Sequence, residues 1–210
     1  MTTNESDNVK LPLKEMLKGI PGIFGIRLDE EPKYTLIRKE GSVEIRRYAP
    51  TLIAQVSVAG DHEAAVDEGF NKLAKYIFGE NTHEADLAMT APVYQEQGVQ
   101  LSMTAPVYHE QQSDAWIISF VISEKFTLQT APKPVDDSIR LVELPERTIA
   151  VLEYSGTNGE EKMRSAEAEL RAWLQSSGVR PTSEIRWAQY DPPFAIPFFR
   201  KNEAQVEIAE

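Results

Sequence analysis

The 210-residue sequence contains no cysteine and only three histidines, which are His62, His83 and His109. The missing cysteines exclude disulfides, thiolate zinc sites and cysteine nucleophiles. No two histidines have the spacing of a metal-ligand pair, so we expect each of them to be a surface side chain and predict no metal site. The glycines never form a strand–loop–helix fingerprint, and a phosphate-binding loop is therefore not predicted.

Long apolar runs and positive charge are also scarce. No run of eighteen apolar residues exists, so no membrane span is expected. The first ten residues are polar and include no apolar signal-peptide core, which makes a cytoplasmic protein the default expectation. The net charge is −11, from 22 basic and 33 acidic residues, and this excess of acid disfavours binding to nucleic acid.

The many acidic residues do not form a recognisable catalytic pair. Adjacent carboxylates such as Glu30-Glu31 and Glu160-Glu161 fall in polar loops or at predicted helix starts. Charge in such places usually faces solvent or stabilises a helix N-terminus. Because no acid–base pair or activated nucleophile is visible, we predict no catalytic residues and no enzyme activity.

A short duplication stands near the middle of the chain. The sequence Met-Thr-Ala-Pro-Val-Tyr begins at Met89 and returns unchanged at Met103. A proline inside an apolar run is typical of an edge strand or a strand end. We expect two successive edge segments, with the Met103 copy integral to the sheet and the Met89 copy more peripheral. The alternative is a pocket wall lined by methionine and tyrosine, which suits the adaptable thioether side chain.

A second, longer repeat relates the two parts of the chain. Ser138–Gly156 aligns without a gap onto Ser42–Gly60, and each stretch has two alternating strand patterns followed by glycine. Amphipathic helices are predicted next, over His62–Phe78, with Asp61 as the capping residue, and over about Glu160–Ser176. Because strands outnumber helices, the helices should pack outside a curved sheet.

These patterns predict an α+β fold. It consists of a distorted antiparallel β-barrel of two pseudo-twofold-related halves, each with one flanking amphipathic helix. We expect residues 1–21 to form a partly disordered N-terminal extension and residues 22–210 to form a single domain, with halves of about 34–111 and 112–208. A groove between such halves would suit a ligand.

Four stretches, in this order, resemble the SOUL/haem-binding-protein family. They are Phe24–Tyr34 followed by Val43–Pro50, then Gly69–Gly79, then Met103–Val107, and finally Tyr190–Pro193 with Arg200–Glu203. The resemblance covers roughly residues 22 to 208. It implies a distorted antiparallel barrel with two flanking helices, and it implies binding of a tetrapyrrole, either haem or another porphyrin.

The resemblance also implies a pocket formed by the first helix and the C-terminal loop. The helix would supply an apolar wall and a lysine that pairs with a propionate, and the loop would add aromatic rings and an arginine. The implied cofactor-binding residues are Phe70, Leu73, Lys75, Phe194, Phe198 and Arg200. Some family members carry a histidine, proposed as an iron ligand, just before the tyrosine that matches Tyr48. Here that residue is Arg47, which cannot coordinate iron, so no axial ligand is predicted.

The function that follows is non-enzymatic binding of haem or another tetrapyrrole, as a carrier, buffer or sensor, in an apolar cleft with a cationic rim. The first alternative is a protein-interaction module without physiological haem, in which the aromatic loop and the second helix bind a protein partner. A further alternative is a ligand-sensing domain like those of transcription regulators, which rests on analogy of architecture alone. Nothing in the sequence indicates an oligomeric state.

Overall fold

A computed structural model of the protein describes residues 30–82, 98–157, 159–191 and 195–209. The predicted N-terminal extension, the Met89 copy of the duplication, His83 and Phe194 lie outside these residues. The strands are β1 (Tyr34–Glu40), β2 (Val43–Tyr48), β3 (Thr51–Ala59), β4 (Asn81–Thr82), β5 (Val107–Gln112), β6 (Ala115–Val121), β7 (Lys133–Pro134), β8 (Arg140–Leu144), β9 (Arg147–Ser155), β10 (Arg186–Gln189) and β11 (Lys201–Glu207). The helices are α1 (His62–Ile77), α2 (Glu160–Ser177) and a short 3-10 helix (Pro197–Phe199).

Nine of these strands form one curled antiparallel sheet, and this architecture confirms the predicted α+β class. The order across the sheet is β1-β2-β9-β11-β10-β5-β6-β3-β8. Apart from β1, the order is symmetric between the two parts of the chain. β2-β9-β11-β10, read from one edge, has the same pattern as β8-β3-β6-β5, read from the other, when β2 is matched with β8, β3 with β9, β5 with β10 and β6 with β11. Two related halves would produce this arrangement. A boundary after β6 keeps the β5–β6 hairpin intact, whereas a boundary at residues 111 and 112 falls inside β5.

Both helices form where the sequence predicts them. Asp61 caps α1 by accepting a hydrogen bond from the Ala64 backbone N–H at 3.0 Å, and the buried side of the helix packs on β3 and β6. The other helix packs on β9 and β11 and ends at Gly178, whose φ of 67° is the left-handed conformation that glycine adopts most readily. Each half therefore covers its own strands with one amphipathic helix.

The Met103 copy of the duplication lies in the interior of the sheet rather than at its edge. It leads into β5, which pairs with β6 on one side and β10 on the other. The expectation that this copy is integral to the sheet is confirmed, and the expectation of an edge segment is wrong for it. Pro106 precedes the strand, so the sheet loses no ladder hydrogen bond to proline. The side chain of Met103 is half-buried and packs against the core.

Candidate ligand-binding cleft

A shallow, open cleft of about 790 Å³ lies between the β1–β2 hairpin and the C-terminal end of α2. This volume lies within the range that small-molecule sites occupy in proteins. The described residues that line it are Ile37, Arg38, Ile45, Arg47, Thr148, Gly178, Val179, Arg180, Ile208 and Ala209. They come from both hairpin strands, the start of β9, the turn after α2 and the end of the described chain.

Strand pairing explains how such distant residues meet. Arg47 is opposite Thr148 where β2 pairs with β9, and the Ile208 backbone N–H donates to the Thr148 carbonyl at 3.0 Å. Gly178 turns the chain after α2, and the next turn is held by a hydrogen bond from the Ala209 N–H to the Arg180 carbonyl at 3.1 Å. The hairpin, the helix end and the last residues are therefore fixed around one opening.

The cleft combines an apolar floor with a cationic rim. Ile45 and Ile208 are buried, Val179 is half-buried, and the guanidinium groups of Arg38 and Arg180 belong to exposed residues. Arginine stays protonated and presents a planar set of donors to carboxylates. The Arg38 guanidinium also lies 6.0 Å from the Trp173 ring centroid and has Glu40 Oε1 3.2 Å from its Nε, but an exposed pair of this kind is weak. The cleft therefore suits a flat apolar molecule with acidic groups at its edge.

The structure places the predicted helix residues against the sheet. Leu73 is 0% exposed and lies inside the core, so a ligand would reach it only if the core opened. Phe70 is half-buried and packs edge-on against Phe120, with ring centroids 5.2 Å apart. Lys75 is half-buried and close enough to Asp136 to contribute to the lowered pKa of that carboxyl, behind the larger effect of hydrogen bonds from Ser138.

The predicted loop residues lie elsewhere. Phe198 is 78% exposed in the 3-10 helix, which packs on β9, and Arg200 donates from Nε to the Ala195 carbonyl at 2.9 Å. Because α1 packs on β3 and β6, three strands separate its nearest strand from β9 in the sheet order. None of the predicted residues that the structure describes lines the cleft.

The two described histidines differ from their prediction as surface side chains. His109 is 1% exposed in β5, opposite Trp187, so that prediction is wrong. His62 is half-buried, with its ring centroid 4.5 Å from that of Trp116. Burial lowers the pKa of both imidazoles, to about 3 for His109. Within the described ranges, no three histidine, aspartate or glutamate side chains are grouped to hold a metal ion.

Sequence reasoning missed most of the cleft. Arg47 drew attention only because it replaces the histidine of some relatives, whereas Arg38 and Arg180 carried no local signal. The alternating pattern of β2 could have helped, because it places Arg47 on the same face as Ile45. The partners from β9 and from the turn after α2 depend on long-range pairing that no local pattern encodes.

Comparison with known proteins identifies the class. Residues 29–207 match the family model described as SOUL heme-binding protein, and the chain belongs to this family. It is 29% identical over 167 residues to heme-binding protein 2 of Homo sapiens, covering 78% of this chain and 76% of that protein. It is 26% identical over 141 residues to heme-binding protein 1 of Bos taurus, covering 67% and 69% of the two chains.

A solved structure supports the fold at lower similarity. The EcmrR C-terminal domain has a TM-score of 0.55 at 12% identity, and the match covers 84% of this chain and 98% of that domain. At this identity the likeness concerns the fold alone. Among the described helices, none is long and apolar enough to cross a membrane.

Proposed function

We propose that this protein binds haem or another tetrapyrrole in the cleft between the β1–β2 hairpin and α2, and that it does so without catalysing a reaction. The observation that carries the proposal is the position of three arginines, Arg38, Arg47 and Arg180, around an apolar floor. Membership of a family whose curated relatives are named heme-binding proteins supports the choice of ligand.

The residues of the cleft fit a propionate-bearing macrocycle. Its apolar face would cover Ile45, Val179 and Ile208, and its carboxylates would pair with the guanidinium groups at the rim. Burying several hundred Å² of macrocycle at about 25 cal/mol per Å² is enough for micromolar affinity after the cost of association. When bound, haem would supply a flat apolar surface and two anionic groups, and the protein would orient it through those groups.

Iron–imidazole bonding has no part in this proposal. The described lining of the cleft includes no histidine, cysteine, methionine or tyrosine. His62, at the start of α1, and His109 of β5 face each other and are engaged there. Apolar burial and ion pairing therefore provide the affinity, and Arg47→His is the substitution that would introduce an imidazole at the rim.

A haemin titration followed by absorbance tests the proposal against the pocket implied by the resemblance. Arg47→Glu and Arg180→Glu should each weaken binding by roughly 10-fold or more, because each reverses a charge that pairs with a propionate. Phe198→Ala and Lys75→Glu serve as matched controls from the other location and should change affinity less than about twofold. The opposite ranking would assign the ligand to the first helix and the C-terminal loop.

The second candidate is a protein-interaction module, and one observation favours it. Phe198 and Phe199 are exposed side by side, with ring centroids 5.4 Å apart, and neither belongs to the buried core. Exposed aromatic pairs often mark binding surfaces for other proteins. A wild-type protein that gives no haemin response under any condition would support this candidate and contradict the tetrapyrrole proposal.

A further inference from the structure

The sheet face turned away from the helices carries buried arginines in two different situations. Arg46 is fully paired, with its Nη2 2.7 Å from Glu44 Oε2 and its Nη1 2.8 Å from Glu203 Oε1. Burial disfavours its charge, yet the carboxylate of Glu203 keeps the pKa of Arg46 above the ordinary value. This residue shows how the fold accommodates a buried guanidinium when a partner is present.

Arg147 and Arg186, on the same face, are less completely paired. Nε and Nη2 of Arg147 and Nη2 of Arg186 are buried and have no hydrogen-bond partner among the described residues. The Tyr108 hydroxyl is also buried and has no hydrogen-bond partner among the described residues. Arg147 is 7% exposed and Tyr108 is 3% exposed, so water at the surface does not satisfy these groups.

The three side chains form one cluster. The Arg186 guanidinium carbon lies 4.4 Å from the centre of the Tyr108 ring. Burial lowers the pKa of Arg147 to about 10, and the charge of Arg186 is the next largest cause of that shift. Tyr108, Arg147 and Arg186 come from β5, β9 and β10, and pairing with neighbouring strands orients all three to the same face.

Other nitrogens of the two arginines do have hydrogen-bond partners in the protein. Arg147 donates from Nη1 to the Pro145 carbonyl at 3.2 Å, and its Nε is 3.6 Å from Glu207 Oε1, which is too long for a hydrogen bond. Arg186 donates from Nε to Gln205 Oε1 at 3.1 Å. Glu110 is opposite Arg186 in the strand pairing, but its carboxylate accepts from the exposed Gln112 amide at 3.1 Å.

We propose that Arg147, Arg186 and Tyr108 form a buried binding site for a small oxyanion, a phosphate or a carboxylate. Buried polar atoms without a partner are rare in folded proteins and call for an occupant. Guanidinium groups stay charged near neutral pH, and their planar donors match the oxygens of an oxyanion. The phenolic hydroxyl adds a neutral donor. The site is separate from the tetrapyrrole cleft. Thr148 lines that cleft, and its neighbour Arg147 projects from the other face of the sheet.

Thermal unfolding of the full chain in an oxyanion-free buffer, with added inorganic phosphate or acetate, tests this proposal. Phosphate at about 100 times its Kd should raise the Tm of the wild type by roughly 5–10 °C. Arg147→Met and Arg186→Met should abolish that rise, and Tyr108→Phe should weaken phosphate binding several-fold. Arg164→Met removes an exposed arginine from α2 and is the matched control that should keep the full rise.

The outcomes are distinct even if a methionine variant folds poorly, because Tyr108→Phe preserves the ring and isothermal titration reports binding directly. A response to phosphate but not to acetate assigns the site to phosphate, and the reverse assigns it to carboxylates. An equal rise in the wild type and in all three site variants would show general salt stabilisation and overturn the proposal. No rise in the wild type with either anion would show that water alone occupies the cluster.

Discussion

His62, the first residue of α1, faces His109 of β5, with Nε2 of His62 3.3 Å from Nδ1 of His109. At this distance one of the two nitrogens donates its proton to the other, so the ring that accepts is neutral. Burial is the main cause that lowers the pKa of each, and the neighbouring His62 further lowers that of His109. The pair thereby couples the helix to the central strand β5.

This pair predicts a loss of stability in mild acid. The unfolded chain binds a proton at each histidine near pH 6.5, whereas His109 in the folded protein binds one only near pH 3. The contribution is fully present above pH 6.5 and is lost as the pH falls towards 3, by about 1.4 kcal/mol per pH unit. Urea unfolding of wild type and His109→Gln should show their stability difference changing by about 2 kcal/mol between pH 6.5 and 5.0. Parallel pH profiles for the two proteins would contradict this assignment.

Breaking the buried pair of Arg46 and Glu203 should cost far more unfolding free energy than breaking an exposed ion pair. Glu203 also accepts hydrogen bonds from the Tyr190 hydroxyl at 2.7 Å and the Gln205 amide at 2.6 Å. Glu203→Ala leaves a buried guanidinium without its inner partner and should cost about 3–5 kcal/mol of unfolding free energy. Glu167→Ala removes an exposed pair with Arg171 on α2 and should cost no more than about 0.5 kcal/mol. Similar costs for the two variants in urea would show that burial does not matter here.

At Gly69 in α1, substitution by alanine should have the opposite effect on stability from the one that helix propensity alone predicts. A Cβ added to this residue would lie 2.6 Å from Cγ1 and 2.8 Å from Cβ of Ile118 in β6. Gly69→Ala should therefore destabilise the protein by about 1–3 kcal/mol through overpacking, although alanine is normally the better helix former. Ser165→Ala on the exposed side of α2 is the control and should be neutral or slightly stabilising. A stabilised Gly69→Ala variant would mean that α1 can move away from the sheet.

The duplicated segment predicts unequal effects of two matched substitutions. Met103 is half-buried against the core, so Met103→Ala should cost about 2 kcal/mol, near the lower end for buried methionine. Met89→Ala, in the copy expected to be peripheral, should cost less. Denaturant unfolding of the two variants provides the comparison, and a larger loss for Met89→Ala would reverse the roles of the copies.

The sequence predicts much of the architecture because its signals are local. Asp61, the apolar stripe of α1 and the alternation in β2 each depend on neighbours within a few residues, and the helix ends at Ile77, one residue before the predicted end. The repeat in the sequence also predicts that the strand order is symmetric between the two parts of the chain. His109 was misplaced because a proline and a duplicated segment precede its strand and imitate the signature of an edge.

The candidate site was harder to predict for a physical reason. The apolar stripe of an amphipathic helix faces the sheet, so Leu73, a ligand contact implied by the family resemblance, is part of the core. The cleft instead depends on Arg47 meeting Thr148 across the pairing of β2 with β9, and on Arg180 arriving after α2. Such meetings are set by the strand order, and short sequence patterns do not specify it.

The most direct test of the central claim is an amide-resolved NMR titration of ¹⁵N-labelled protein with diamagnetic zinc protoporphyrin. If the tetrapyrrole binds in the cleft, the amide resonances of Thr148, Gly178 and Val179 should shift saturably, while those of Phe70 and Lys75 in α1 stay in place. Shifts confined to α1 and to the loop around Phe198, with the cleft resonances unmoved, would contradict the claim.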